Sequence, residues 1–229
     1  MGCWQLDTDW AALGSMLQGV SAVAMAIAAG LGVKTWWRQL KATREQGLAE
    51  EVLTAAYRLV DAIRQVRHPF TAAVELNAVE RLDIENDAEF EARKPYATVE
   101  PRIQRYLKDD FVQLSALTFK VQAVLGSEVV AAIQRLLNVP EKLRHVAQYA
   151  SMTAVHKARS EEALTRLWHR DKAWNAELQE RSDAATRELE KVSGVLWASS
   201  SNDGTSVEID AAIREIERHL KGLASFAKP

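Results

Sequence analysis

Histidines, carboxylates and the lone thiol are the residues of this chain that could carry chemistry, so their spacing comes first. The five histidines are His68, His145, His156, His169 and His219. A di-iron helical bundle needs Glu-x-x-His pairs, and none of the five has Glu three residues before it. Glu141/His145 and Glu215/His219 stand four apart, the spacing of a surface contact along one helix. His145 and His156 share a helix face but lie roughly 16 Å apart along the axis, too far for one metal. The single Cys3 excludes a disulfide framework and any zinc site with several thiolates. Met1-Gly2-Cys3 has the start of a dual-acylation signal, but Leu6 stands where that signal takes Ser or Thr. No phosphate-binding loop, dinucleotide fingerprint, HExxH pair or nucleophile elbow occurs. The reading is a non-enzyme, with no catalytic residue, metal or cofactor expected.

Two charged stretches remain. Over about 70–96, Glu75, Glu80, Asp83, Glu85, Asp87, Glu89 and Glu91 face only Arg81 before Arg93 and Lys94. The glycine and terminal bidentate Glu of a calcium loop are missing, so a solvated acidic connector with a short helix is expected. Further on, Lys142, Arg144, Lys157, Arg159, Arg166, Arg170 and Lys172 make a basic stretch with Trp168 and Trp174 nearby. Cations on phosphates and rings on bases would be a nucleic-acid reading. Glu141, Glu161, Glu162 and Asp171 dilute that field, and the whole chain carries a formal charge of −2. A mixed solvated face is expected and no nucleic-acid partner. Arg166, Arg170, Lys172, Trp168 and Trp174 are the candidate surface for a protein partner or an anionic group.

The elements that would position these residues are helical. The 24 residues 10–33 carry no charge. As a helix they extend roughly 36 Å, enough for a hydrocarbon core of about 30 Å. Trp4 and Trp10 stand at one end, Trp36 and Trp37 at the other, where aromatic belts form. Asp7 and Asp9 precede, while Lys34, Arg38, Lys41 and Arg44 follow. The positive-inside bias then puts the N-terminus outside and the body in the cytoplasm of a bacterial inner membrane. Trp10, Trp36, Trp37, Lys34, Arg38 and Lys41 would be the interfacial anchors. Ser15, Gly19, Ala22, Ala26 and Gly30 form a small-residue stripe through which two such helices could pack closely, predicting a homo-oligomer. The rival is a soluble nucleic-acid-binding or enzyme-accessory subunit in which this helix is a buried core element.

Gly at 10 and Pro at 5 are few for a β-sandwich, and no β-alternation of useful length occurs. An all-α chain is expected: a short outer segment and transmembrane helix over 1–33, then a cytoplasmic helical bundle over 34–229. Leu48, Val52, Ala56, Leu59, Ile63 and Val66 repeat at helical spacing, widened by Leu53, Tyr57 and Val60, and His68-Pro69 ends that helix. Pro101 opens a helix with the stripe Ile103, Leu107, Phe111, Leu114, Leu117, Val121 and Leu125, capped by Gly126. A helix from Ser127 to Leu137 follows, and Pro140 opens the next. Residues 141–196 are one long helix or two. Ser199 to Gly204 lie in a loop over about 198–205, Thr205 and Glu208 have capping-box spacing, and Ile209, Ile213, Ile216, Leu220 and Leu223 line the last helix.

Residues 48–70, with Leu53, Tyr57, Leu59, Ile63, Arg67, Pro69 and Phe70, resemble a pattern in uncharacterised small bacterial membrane-anchored helical proteins, whose helical rod ends in R-x-P-F. The resemblance implies an accessory role in cell-envelope or phage-defence function and supplies no active-site residue. It singles out Arg67, Pro69 and Phe70 as a turn in which Arg67 reaches carbonyls or an acid and Phe70 buries against the rod. The functional expectation is therefore a bilayer-anchored, self-associating tether, scaffold or signalling component with a protein partner.

Overall fold

The computed structural model describes residues 10–167, 172–198 and 203–224, with the backbone alone for 10–15, 17, 167 and 222–224. Outside it lie the expectations placed on Met1-Gly2-Cys3, Trp4, Trp168, His169, Arg170, the 199–202 loop and the side chains of Trp10, Ser15 and Leu223. Eight helices form the described chain, with no strand among the described residues: α1 Trp10–Val66, α2 Ala73–Asn77, α3 Asp87–Ala97, α4 Val99–Tyr106, α5 Lys108–Val124, α6 Ser127–Leu167, α7 Lys172–Leu196 and α8 Gly204–Ala224. The protein is all-α, one long apolar N-terminal helix followed by a helical bundle. Compactness divides it after Gly47, into Met1–Gly47 and Leu48–Pro229.

In the first unit, every side chain over 18–39 is exposed. Met16, Val20, Val23, Met25, Ile27 and Leu31 are all more than half exposed. The two hydroxyls of this stretch turn back on their own helix: Ser21 Oγ donates to the Gln18 carbonyl and Thr35 Oγ1 to the Leu31 carbonyl, each at 2.9 Å. A hydroxyl satisfied in this way asks nothing of its surroundings, which suits an apolar medium. Trp36 and Trp37 meet edge to face, with ring centroids 5.4 Å apart.

The second unit builds one core. From α1 it takes Leu48, Val52, Ala55, Ala56, Leu59, Val60, Ile63 and Val66, all buried, the stripe that helical spacing predicts. Tyr57, read as part of that stripe, is exposed, and its hydroxyl donates to Glu217 on α8. α6 is the central element, packing against α3, α4, α5, α7 and α8. Its buried residues run from Val129 through Ile133, Leu136, Leu143, Ala147, Ala150 and Ala154.

Local rules and the structure part company in three places, and one open alternative is decided in a fourth. Pro140 does not open a helix but lies inside α6. A proline there costs about 3 kcal/mol, yet Leu136, Leu137, Val139 and Leu143 are buried on both sides of it, and that packing holds the helix through. The helix expected at Pro101 breaks at Leu107 (φ −104°) into α4 and α5. Phe111, past the break, lies at the edge of exposure rather than in the core. Residues 141–196 belong to two helices, α6 and α7, packed on each other. Finally, Thr205 does not cap α8. Asp203 does, its Oδ1 accepting from the backbone N–H groups of Thr205 and Ser206 at 3.1 and 2.9 Å. Glu208 pairs instead with Lys142 on α6.

Candidate functional site

The turn that ends α1 is where distant parts of the sequence converge. Helix ends leave carbonyls without intrahelical partners, and here two buried arginines answer them. Arg67 is 1% exposed and Arg102 is 3% exposed. Arg67 donates from Nε to the Val195 carbonyl at 3.0 Å and from Nη2 to the Gly194 carbonyl at 3.2 Å, at the C-terminal end of α7. It also reaches Ser206 Oγ at 3.0 Å and Asp203 Oδ1 at 2.6 Å. Its own carbonyl accepts from the Ala198 N–H at 2.8 Å. A single residue thus ties the end of α1 to the end of α7 and the start of α8.

Arg102, on α4, grips the same turn from the other side. Nη1 donates to the Val66 and His68 carbonyls at 3.3 and 2.9 Å, and Nη2 to the Phe70 carbonyl at 2.8 Å. Nε and Nη2 share Glu75 Oε2, at 3.1 and 2.7 Å. Its guanidinium carbon stands 5.7 Å from the Trp197 ring centroid, a cation–π contact. Phe70 does not bury: it is 73% exposed, and only its backbone takes part, the carbonyl accepting from Arg102 and the N–H donating to His68 Nδ1 at 3.2 Å. A turn made by backbone carbonyls leaves the neighbouring aromatic ring free to point outward.

The carboxylates of this joint stay charged. Burial pushes the Asp203 carboxyl up, but the Ser206 N–H and hydroxyl and the Arg67 guanidinium outweigh it and hold it below the usual range. Arg102 does the same for Glu75.

The 70–96 stretch keeps Glu80, Asp83, Asp87 and Glu91 exposed, as a solvated connector would, but two of its acids depart from that reading. Glu85 and Glu89 are buried. Arg93 chelates Glu85 with Nε and Nη2, and Arg159 on α6 donates from Nε to Glu89 Oε1 at 2.6 Å. These partners hold both carboxyls below the ordinary range. Asn86 caps α3, accepting from the Glu89 N–H at 2.9 Å while Glu89 accepts from the Asn86 N–H at 3.2 Å. That capping box was readable in Asn86-x-x-Glu89; the arginine partners, eight and seventy residues along the chain, were not.

The basic stretch does not gather into a cationic surface. Lys142 pairs with Glu208, Arg144 with Glu100 and Glu141, Lys157 with Glu161, and Arg166 with Glu162. Lys172 and Trp174 are exposed at the start of α7. His145 faces Glu141 at 3.0 Å, whereas His219 faces Glu128 at 3.6 Å rather than Glu215. No group of three or more His, Cys, Asp or Glu that could hold a metal occurs among the described residues.

Of the small-residue stripe, Gly19, Ala22, Ala26 and Gly30 are exposed. A Cβ added at Gly19 or Gly30 meets nothing within 4 Å. Within Gln18–Val66, α1 has a window of mean hydropathy 1.4 that is long and apolar enough to cross a membrane, and none of that window is buried. No family model, curated protein or solved structure matches this chain. Its function has to be argued from its own geometry.

Proposed function

We propose that this chain is a non-enzymatic single-pass membrane protein, anchored in a bacterial inner membrane through residues 10–33 with its N-terminus outside. Its helical bundle acts in the cytoplasm as a tether, oligomeric scaffold or signalling component. One observation carries the reading: the apolar window of α1 is 0% buried. A core helix of a soluble protein is apolar because it is covered, and water would charge about 25 cal/mol for each Å² of apolar surface left open. A bilayer removes that cost.

Three further features support it. Ser21 and Thr35 satisfy their hydroxyls internally. Trp36 and Trp37, followed by Arg38 and Lys41, fit an interface on the side of the bundle. The joint at Arg67 and Arg102 fastens the end of α1 to α4, α7 and α8 within the bundle, a fixed frame for a partner to bind. Self-association through Gly19, Ala22, Ala26 and Gly30 would make the anchor an oligomer. The resemblance of residues 48–70 favours envelope or phage-defence function.

The test is membrane partition under alkaline carbonate, with protease access to the C-terminus in intact and opened spheroplasts. Retention, with cleavage only after opening, is the expected outcome. Release into the supernatant overturns the anchor, and cleavage in intact spheroplasts overturns the orientation. Replacing Ala22, Ala26 and Gly30 with Leu is expected to change oligomer size in detergent, and an unchanged size removes the stripe.

A further inference from the structure

A groove runs between α3 and α6, entirely within the bundle. Leu82, Ile84, Tyr96, Met152 and Val155 line it, with Arg93, Arg144 and Arg159 among its polar groups. Its volume is about 530 Å³, inside the roughly 300–1,000 Å³ range of small-molecule sites. Ile84 is 80% exposed and Met152 53% exposed, apolar side chains that nothing in the described residues covers.

The groove's proportions select its occupant. Arg144 and Arg159, both on α6, both line it, and fifteen residues of helix extend roughly 22 Å, a length that an extended long alkyl chain matches. An alkyl chain, whose carbons take neighbours at about 4 Å, fits.

The polar groups select one end. Arg144 commits Nε to Glu100 and Nη1 to Glu141. Arg93 commits Nε and Nη2 to Glu85 and to the Glu80 carbonyl. Arg159 commits only Nε, to Glu89, whose carboxylate is itself held by the Asn86 N–H. That bond orients the guanidinium while its two Nη groups have no partner among the described residues. His156, one turn back on the same face, also lines the groove and has none. Because Glu89 balances the charge of Arg159, an acid there would be recognised by the geometry of two N–H donors rather than by net charge.

We propose that this groove binds the hydrocarbon chain of a long-chain carboxylic acid, with the carboxylate on the Nη groups of Arg159 and on His156. The proposal does not depend on the membrane anchor.

The experiment uses the full chain in nanodiscs of zwitterionic lipid and hexadecanoate carrying a photoreactive diazirine at the chain end, with labelled peptides mapped by mass spectrometry. The expected result is saturable labelling within residues 82–97 and 147–156. Unlabelled hexadecanoate displaces it, and octanoate and hexadecanol displace it about ten-fold less well. Ile84→Asp, at an exposed position, is expected to weaken labelling about ten-fold with an unchanged melting temperature. Arg159→Lys keeps the pair with Glu89 but loses the fork, and should weaken hexadecanoate while leaving hexadecanol unchanged. Labelling confined to residues 18–39, labelling that does not saturate, or Ile84→Asp labelling like the parent chain overturns the proposal. Should Ile84→Asp lower the melting temperature, Met152→Asp on the opposite wall repeats the comparison. Loss of labelling only in proportion to loss of fold in both also overturns it.

Discussion

One helix of this protein carries two kinds of surface. Over 18–39, α1 is exposed on every side; over 48–66, it buries a regular stripe and shows the rest to water. Both stretches are helical and both are rich in Ala and Val, so composition does not separate them. Periodicity does. The second stretch places apolar residues at helical spacing with Glu50, Glu51, Arg58, Asp61 and Arg64 between them, which asks for a partner on one face. The first is apolar all round, which asks for a surrounding medium or for neighbours on every side. The same helix therefore carries a core stripe and a bare apolar length, and the difference lies in where charges interrupt it.

Reciprocal charge insertions break that comparison most forcefully. Leu59 is 0% exposed, and Leu59→Asp is expected to cost at least 4 or so kcal/mol, about the far tail of single substitutions. Thermal unfolding followed by circular dichroism should show the bundle lost, while carbonate extraction still finds the chain in the membrane. Ala26→Arg should do the reverse, adding about 2.5–3.5 kcal/mol to insertion at mid-bilayer with the bundle's melting temperature unchanged. Both variants failing together would mean that the two stretches are not independent.

Arg67→Ala is next in size. It strands Asp203, whose side chain is 6% exposed, and removes donors from the Val195 and Gly194 carbonyls. Breaking a buried pair from one side costs about 3–5 kcal/mol, read as a lower denaturation midpoint. Asp203→Asn in the Arg67→Ala background should recover part of the loss, since the stranded charge is gone. No recovery would assign the cost to the carbonyls alone.

Arg67 also marks the limit of what this sequence discloses. An arginine one residue past the last turn of a helix and before a His-Pro stop is legible as a group that answers orphan carbonyls. The long apolar N-terminal helix and the 48–66 stripe are legible because periodicity is local. Phe70 was misread, since one apolar residue in a turn has no period to say which way it faces. Glu85 and Glu89 were misread as solvated because the arginines that bury them come from Arg93 and from α6. Pro140 was misread for a related reason: a local cost is outweighed by packing on Leu136 and Leu143, which no window around the proline contains. The α3/α6 groove left no signal at all, as its two walls lie far apart in the chain.

Acid should sharpen the contrast between the two stretches. Glu75, Glu85, Glu89 and Asp203 all have lowered pKa values in the folded bundle. The unfolded chain therefore binds more protons in the window below about pH 4.5, and stability rises with pH there. Their contribution is complete above that window and is lost as pH falls through the folded values. Residues 18–39 contain no acid. The bundle's melting temperature is expected to hold from neutral pH to about pH 5 and to fall from there to about pH 3, while membrane retention does not change. A fall confined to pH above 5 would mean that these carboxylates do not carry the acid sensitivity.

The smallest effect has the opposite sign. Thr205 is 1% exposed, and its Oγ1 is buried without a hydrogen-bond partner. The cap of α8 belongs to Asp203, so the hydroxyl contributes nothing to the helix start and costs its desolvation. Thr205→Val keeps the branched shape and removes that cost, and is expected to stabilise the bundle by about 1 kcal/mol. Asp203→Ala at the same helix start should destabilise it, because there the cap and the Arg67 partner disappear together. If Thr205→Val instead destabilises, the hydroxyl has a water or backbone partner, and the start of α8 is held by two residues rather than one.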